Sequence, residues 1–225
     1  MRLIDTHSHL FLEEFSEDFP QVIERARAAG VTHIFMPNID STTIEAMLSA
    51  CSVYKGYCFP MIGLHPTSVN DNYEKELEIV ARELKFSKEY VAIGEIGMDL
   101  YWDKTYLKEQ QIVLDKQVNW ALEYDLPIVI HCRDAFDYIY KVLEPYKKTP
   151  LRGIFHSFTG TAEEATRVLE FSDFFIGING VVTFKKSHLP EILAGIPLEK
   201  IVLETDSPYL TPVPNRGKRN ESAYV

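Results

Sequence analysis

The sequence is poor in cysteine, and its few cysteines are irregularly spaced. Cys51, Cys58 and Cys132 are the only three among 225 residues. A disulfide framework requires an even set of cysteines at recognisable spacings. The count therefore argues against a small secreted fold held together by disulfides, and it favours a reducing cytoplasm as the location of the protein.

Long hydrophobic runs are also missing. No uninterrupted apolar stretch approaches the roughly 20 residues that a membrane-spanning helix needs. Asp5, His7 and His9 interrupt the first apolar segment, so the sequence has no charged-then-apolar export leader. We therefore expect a cytoplasmic protein with no membrane partner.

Basic residues are outnumbered, with 23 Lys and Arg against 33 Asp and Glu, which gives a net charge of −10. This balance argues against a protein that coats nucleic acid through a broad basic face. An enzyme that handles one end of a nucleic acid locally remains compatible with it.

Apolar, β-branched segments alternate with amphipathic ones along the whole chain. The pattern predicts strands at Leu3–Thr6, Val31–Pro37, Cys58–Gly63, Val91–Glu95, Pro127–Ile130, Gly153–Phe155, Phe174–Ile178 and Ile201–Glu204. Helical patterns separate these strands, for example at Glu109–Glu123. Thr42–Glu45 and Thr161–Glu164 have the residue spacing of a capping box, which marks a helix start.

Eight strands with intervening helices predict a parallel sheet covered on its outer face. The economical closed form is a (β/α)8 TIM barrel, and we expect residues 1–225 to form it as a single domain. A doubly wound open sheet is the alternative. An open sheet would gather its site at one switch point. The candidate metal ligands of this chain instead follow many different strands, which favours the barrel.

The chain after the eighth predicted strand is too short for a loop and a full eighth helix. Arg219–Val225 could form the first turn of such a helix. We therefore expect a barrel that lacks its C-terminal helix and has an exposed apolar groove where that helix would pack.

Metal-ligand residues recur where predicted strands stop. His7 and His9 follow the first strand, and residues two apart on an extended chain point the same way. The later candidates are Glu95, His131, His156 and Asp206. Because the carboxyl ends of barrel strands meet at one mouth, we expect all six side chains to converge there.

Imidazoles and carboxylates are the expected ligands of Zn²⁺, Mn²⁺ or a similar divalent ion. Glu95 lies between the two histidine groups in strand order, so it is the natural bridge between two ions about 3.5–4 Å apart. His7, His9 and Asp206 would complete one ion site, and His131 and His156 the other. Four imidazoles favour Zn²⁺ over Mg²⁺.

Six short motifs extend this pattern in order along the chain. They are Asp5–Leu10, Gly63–Pro66, Gly94–Asp99, His131–Arg133, Phe155–Phe158 and Glu204–Leu210. Together they resemble the TatD family of metal-dependent deoxyribonucleases, within the amidohydrolase superfamily, over nearly the whole chain. The resemblance implies a (β/α)8 barrel, a two-metal centre on the six residues above that can use Mg²⁺ or Mn²⁺, and phosphodiester hydrolysis.

The resulting hypothesis is a deoxyribonuclease that attacks phosphorus with a water activated by two metal ions. Glu95 and Asp206 are the candidate catalytic residues, and Asp206 would accept or relay the proton of the water. Single-stranded DNA ends are the expected substrate, because a narrow barrel mouth admits a strand end more readily than duplex. The alternatives are a small-molecule amidohydrolase that cleaves an amide or lactone, and a non-enzymatic metal-binding scaffold.

Two further residues are candidates for substrate binding. Arg133 shares the direction of His131 and could hold a phosphate bidentately, or else form a structural ion pair. His65, before Pro66, is placed to meet a substrate phosphate. Asp99 could orient a ligand.

Two other predictions concern neighbouring groups. Glu204 could pair with Arg219 beneath the site. Tyr101, Trp102 and Tyr106 could stack on a nucleobase or simply pack their loop.

Overall fold

The computed structural model describes residues 2–225, and within them eight parallel strands alternate with helices. The strands are β1 (Leu3–Asp5), β2 (Val31–Pro37), β3 (Cys58–Met61), β4 (Ile93–Asp99), β5 (Ile128–Arg133), β6 (Gly153–Phe155), β7 (Phe174–Ile178) and β8 (Ile201–Leu203). The helices are α1 (Phe19–Ala28), α2 (Ile44–Val53), α3 (Tyr73–Phe86), α4 (Leu107–Glu123), α5 (Phe136–Leu143), α6 (Ala162–Val168) and α7 (Leu189–Leu193).

The strands close into a barrel. Ladder hydrogen bonds join β1-β2-β3 and β4-β5-β6-β7-β8, all in parallel. The bridge between Ile62 and Ile93 connects β3 to β4. At the other seam, Ser8 pairs with Ser207 in a parallel bridge, so the end of β8 meets the end of β1. The predicted (β/α)8 barrel is confirmed, and the open sheet is excluded.

The strand ends differ from the predicted ones where the chain enters the site. β4 was expected to stop at Glu95 and β5 at Ile130, but they continue to Asp99 and Arg133. Gly97 allows this extension, because a Cβ there would lie 2.0 Å from the His131 carbonyl oxygen. Without a side chain at Gly97, the two backbones pair up to Arg133.

Of the two predicted capping boxes, one is present at a helix start and the other is not. At α6, the Thr161 side chain accepts from the Glu164 backbone N–H, and the Glu164 side chain accepts in return, as a capping box requires. The box predicted at Thr42 is wrong. The Thr43 hydroxyl accepts instead from the backbone N–H groups of Ile39 and Asp40, which holds the loop before α2.

The C-terminal segment ends in a 3-10 turn at Ser222–Tyr224 rather than an α-helical turn. Two apolar side chains on the neighbouring strands β1 and β8 are exposed, and the groove itself stays a prediction. Ile4 on β1 and Leu203 on β8 are 44% and 45% exposed, respectively. Within residues 2–225, no helix has both the length and the apolar character that crossing a membrane would require.

Candidate metal centre

The six candidate ligands converge at the carboxyl end of the barrel. His7 and His9 follow β1, His156 follows β6, and Asp206 lies in the loop after β8. Glu95 and His131 differ from the prediction, since they lie inside β4 and β5, whereas Glu95 is predicted as the last residue of its strand and His131 as the first residue after its strand. The convergence is nevertheless as expected, because these two strands extend further toward the barrel mouth.

Glu95 lies at the centre of the group, and its two carboxylate oxygens face different histidines. Oε2 is 3.0 Å from His7 Nε2 and 3.5 Å from His9 Nε2. Oε1 is 2.9 Å from His131 Nδ1 and 3.4 Å from His156 Nε2. One buried carboxylate therefore separates two sets of nitrogen donors.

Asp206 completes the group on the β1 side. Its Oδ1 is 3.6 Å from His9 Nε2 and 3.8 Å from His7 Nε2. Its backbone N–H donates to the His7 carbonyl, and its φ of 57° is in the left-handed region that costs energy for residues other than glycine. The barrel seam thus holds a strained residue beside the histidine pair.

The donor spacing fits bound cations. Three groups have ligand atoms within 4.8 Å of one another, namely His7, His9 and Glu95; His7, His156 and Asp206; and His65, Glu95 and His131. Ligand atoms that share one tetrahedral ion at about 2.1 Å stand about 3.4 Å apart. The Nε2 atoms of His7 and His9 are only 3.1 Å apart, so a proton or a metal ion must separate their lone pairs.

Electrostatics keeps the carboxylates ionised. Burial alone would raise the pKa of Glu95, but the imidazoles of His65, His7 and His156 hold it well below its ordinary value. Burial likewise opposes the shift at His9, yet hydrogen bonds to Asp206 and Glu95 raise its pKa to about 9. These charges suit the binding of cations, which are protons in the metal-free protein.

A second carboxylate lies beside two of the histidines near Glu95 Oε1, namely His131 and His156. Asp99 Oδ2 is 2.9 Å from His131 Nε2. Glu204 Oε1 is 3.0 Å from His156 Nδ1, although the two atoms are not aligned as a hydrogen bond. The predicted pairing of Glu204 with Arg219 is wrong, because the Arg219 guanidinium donates to Asp18 instead. The alternation of side-chain directions along a strand could not by itself show that Glu204 faces β6.

His65 contacts Glu95, which the sequence did not predict. Its Nε2 is 3.2 Å from Glu95 Oε1. Its Nδ1 accepts from the Thr67 backbone N–H, and this contact assigns the neutral tautomer with the proton on Nε2. Burial lowers the pKa of His65, so that tautomer is the main form. A protonated Nε2 donates a hydrogen bond and does not bind a metal ion.

Arg133 lies at the rim of a cavity of about 700 Å³ that reaches Glu95 and Asp206. Among the residues that the structure describes, no carboxylate lies within ion-pair distance of its guanidinium. The guanidinium stacks on Tyr101, 3.8 Å from the ring centroid. This contact leaves the N–H groups at its edge available for a ligand, which disfavours the structural ion pair.

The sequence matches a known protein family over nearly its whole length. The model of the TatD related DNase family matches residues 4–225. The chain belongs to the TatD family. It is a metal-dependent hydrolase of TatD type, and the resemblance inferred from the six motifs is confirmed.

Relatives and solved structures agree with this assignment. The chain is 39% identical to the uncharacterized metal-dependent hydrolase YabD of Bacillus subtilis (strain 168), over 99% of this chain and 87% of that protein. It is 32% identical to the 3'-5' ssDNA/RNA exonuclease TatD of Pantoea ananatis (strain LMG 20103), with the same two coverages. The crystal structure of YjjV, a TatD homologue from Escherichia coli K12, superposes with a TM-score of 0.91 at 30% identity, over 99% of this chain and 85% of that one.

Proposed function

We propose that this chain removes nucleotides from the ends of single-stranded nucleic acid by hydrolysing phosphodiester bonds with two divalent ions. The observation that carries the proposal is the position of Glu95, whose two oxygens face separate sets of imidazoles. A carboxylate in this position could be shared by two divalent ions at the spacing that two-metal hydrolysis uses. The relatives named 3'-5' ssDNA/RNA exonuclease support DNA or RNA as substrate and the 3' end as the starting point.

The proposed ligand set is the one expected from the sequence. Glu95 Oε2, His7, His9 and Asp206 would hold one ion, and Glu95 Oε1, His131 and His156 the other. Zn²⁺, Mn²⁺ and Mg²⁺ are all candidates, with the imidazoles favouring the first two. When bound, such ions make water a nucleophile near neutral pH and offset the charge of a phosphate.

The other groups of the cavity supply orientation and proton transfer. Asp206 is ionised, because the imidazoles of His156, His7 and His9 lower its pKa against the effect of burial. Its carboxylate can therefore accept the proton of the attacking water. The Nε2–H of His65 and the free edge of the Arg133 guanidinium can donate to the non-bridging phosphate oxygens.

A panel of substrates tests the reaction class. The Mn²⁺-supplemented protein is offered bis(4-nitrophenyl) phosphate and a set of amides and lactones at equal concentration. We expect turnover of the phosphodiester to exceed that of every amide and lactone. A preference for an amide or lactone would instead support a small-molecule amidohydrolase.

The proposed function includes a cellular location, the cytoplasm. All three cysteines are free, and burial raises the pKa of Cys51 and of Cys132 to about 12. Free thiols of this kind fit the reducing cytoplasm that we propose as the location.

A further inference from the structure

The loop that follows β4 carries two exposed aromatic side chains at the cavity. Trp102 is 72% exposed and Tyr101 is 53% exposed. Trp102 also lines the cavity that contains Glu95, Asp99 and Asp206. Most of the surface of this ring is therefore available to a ligand in the cavity.

The loop is held rigidly on both sides of Trp102. Asp99 accepts the Tyr101 backbone N–H through Oδ1 while its Oδ2 contacts His131. Beyond Trp102, the Asp103 carboxylate accepts from both the backbone N–H and the hydroxyl of Thr105. A rigid platform loses little conformational entropy when a ligand binds.

Arg133 links this platform to the expected position of the phosphate. Its guanidinium lies 3.8 Å from the Tyr101 ring centroid and 5.2 Å from the Trp102 ring centroid. The two aromatic rings meet edge to face, with their centroids 4.8 Å apart. A cation suited to phosphate and an exposed indole thus lie side by side on one wall of the cavity.

We propose that Trp102 is the stacking platform for the nucleobase adjoining the phosphate that is cleaved, with Arg133 holding a phosphate of the same strand. The inference rests on the proposed function and names a binding contact within it. A nucleotide combines an anionic phosphate with a planar ring, and these match the two neighbouring groups. Stacking on an aromatic side chain accepts every base, which suits an enzyme that proceeds along a strand of any sequence.

Fluorescence of the indole reports stacking without any cleavage. The chain has two tryptophans, and replacing the half-buried Trp120 by phenylalanine leaves Trp102 as the sole reporter. The W120F protein, in EDTA, is titrated with an eight-nucleotide oligothymidylate and with an abasic strand of equal length. We expect quenching by the oligothymidylate and little change with the abasic strand. Equal effects of the two strands, or none from either, would overturn the proposal.

Cleavage kinetics provides the second readout, with the Phe86→Ala variant as a matched control. Phe86 is also exposed, at the end of α3, but it does not line the cavity. We expect W102A to raise KM for the oligothymidylate about tenfold, with W102F close to wild type and F86A unchanged. For the abasic strand, the KM of W102A should equal that of the wild-type protein.

The possible results separate this inference from the proposed function. Cleavage of the oligothymidylate with the same KM in wild type and W102A would overturn the platform and leave the nuclease function standing. Base-dependent quenching without cleavage at any metal concentration would support the platform and overturn the nuclease function. A wild-type protein that neither binds nor cleaves the strand would overturn both.

Discussion

The imidazole of His131 is held by the carboxylate of Asp99, with Nε2 and Oδ2 2.9 Å apart. The opposite ring nitrogen, Nδ1, is 2.9 Å from Glu95 Oε1. Both carboxylates raise the pKa of His131 against the effect of burial. A metal ion that took the place of the Nδ1 proton would leave the Nε2 proton on Asp99 and use the Nδ1 lone pair. In the proposed centre, Asp99 would thus orient His131 with Nδ1 toward the metal ion.

Replacing Asp99 by asparagine should weaken metal binding. The amide keeps the size of the side chain but loses the charge that supports the imidazole, and such changes cost about 10–100-fold in metal affinity. Calorimetric titration with Mn²⁺ measures the effect. Asp103→Asn in the same exposed loop is the control, and its affinity should equal that of wild type. An unchanged affinity in D99N would contradict the role given to Asp99.

Asp206→Asn should lower kcat on a phosphodiester by about 10²–10⁴-fold at saturating Mn²⁺, because the amide cannot accept the proton of the attacking water. Asp134→Asn is a matched control, since Asp134 also has a left-handed φ, 52° against 57°, at an exposed position of the barrel mouth. Its kcat should not change. If D206N kept the wild-type kcat, proton acceptance by Asp206 would be wrong.

Metal binding should release protons and strengthen as pH rises. In the metal-free protein, burial opposes protonation of His156, but Glu204, Glu95 and Asp206 raise its pKa to about 10, so His156 is charged at pH 7. A metal ion must displace that proton to reach the lone pair. Titration heats at pH 7 should therefore differ between buffers of low and high ionisation enthalpy. Identical heats, with an affinity that is constant from pH 6 to 8, would rule this out.

The raised pKa of His156 also predicts how the stability of the metal-free protein depends on pH. The folded-state pKa of His156 lies above its ordinary value of 6.5, so protonation of His156 stabilises the fold fully below about pH 6.5. This contribution declines as pH rises toward about 10. The free energy of unfolding of the metal-free chain should fall over this range, measured in urea with EDTA, and bound metal should reduce the fall. A free energy of unfolding that rises with pH over this range would contradict the prediction.

Arg25 should matter more for stability than a comparable surface arginine. Its guanidinium donates through two nitrogens to Glu221, whose side chain is almost fully buried. Arg25→Ala leaves that carboxylate without its partner and should cost about 1–3 kcal/mol of unfolding free energy, because Arg25 itself is partly exposed. Arg152→Ala is the control, since its partner Asp125 is 83% exposed, and it should cost about 0–1 kcal/mol. Equal losses in urea unfolding would be inconsistent with this difference.

The sequence was sufficient for the architecture and for the convergence of the candidate ligands. Strand and helix periodicity is local, and in a parallel barrel it determines which strand ends share the mouth. The boundaries of β4 and β5 were wrong because they depend on a contact between Gly97 and the His131 backbone, which are far apart along the chain.

Side-chain partners were the least predictable part of the site. Glu204 could pair with Arg219 by sequence, but it faces His156 over Gly177 of β7. His65 was expected at a phosphate, and its approach to Glu95 depends on the turn in which Thr67 contacts its ring. Such contacts between distant segments follow from packing and leave no periodic signal in the sequence.

The central claim is that Glu95 joins two divalent ions into one hydrolytic centre, and a stoichiometric titration tests it most directly. Metal-free protein receives Mn²⁺ in steps, and the cleavage rate of 5'-end-labelled single-stranded DNA is measured at each step. We predict no cleavage in EDTA, a rate that rises until two equivalents are bound, and shortening from the 3' end. A rate that is already maximal at one equivalent of Mn²⁺ would contradict the account. Cleavage that is independent of metal, or its absence at every Mn²⁺ concentration, would also contradict it.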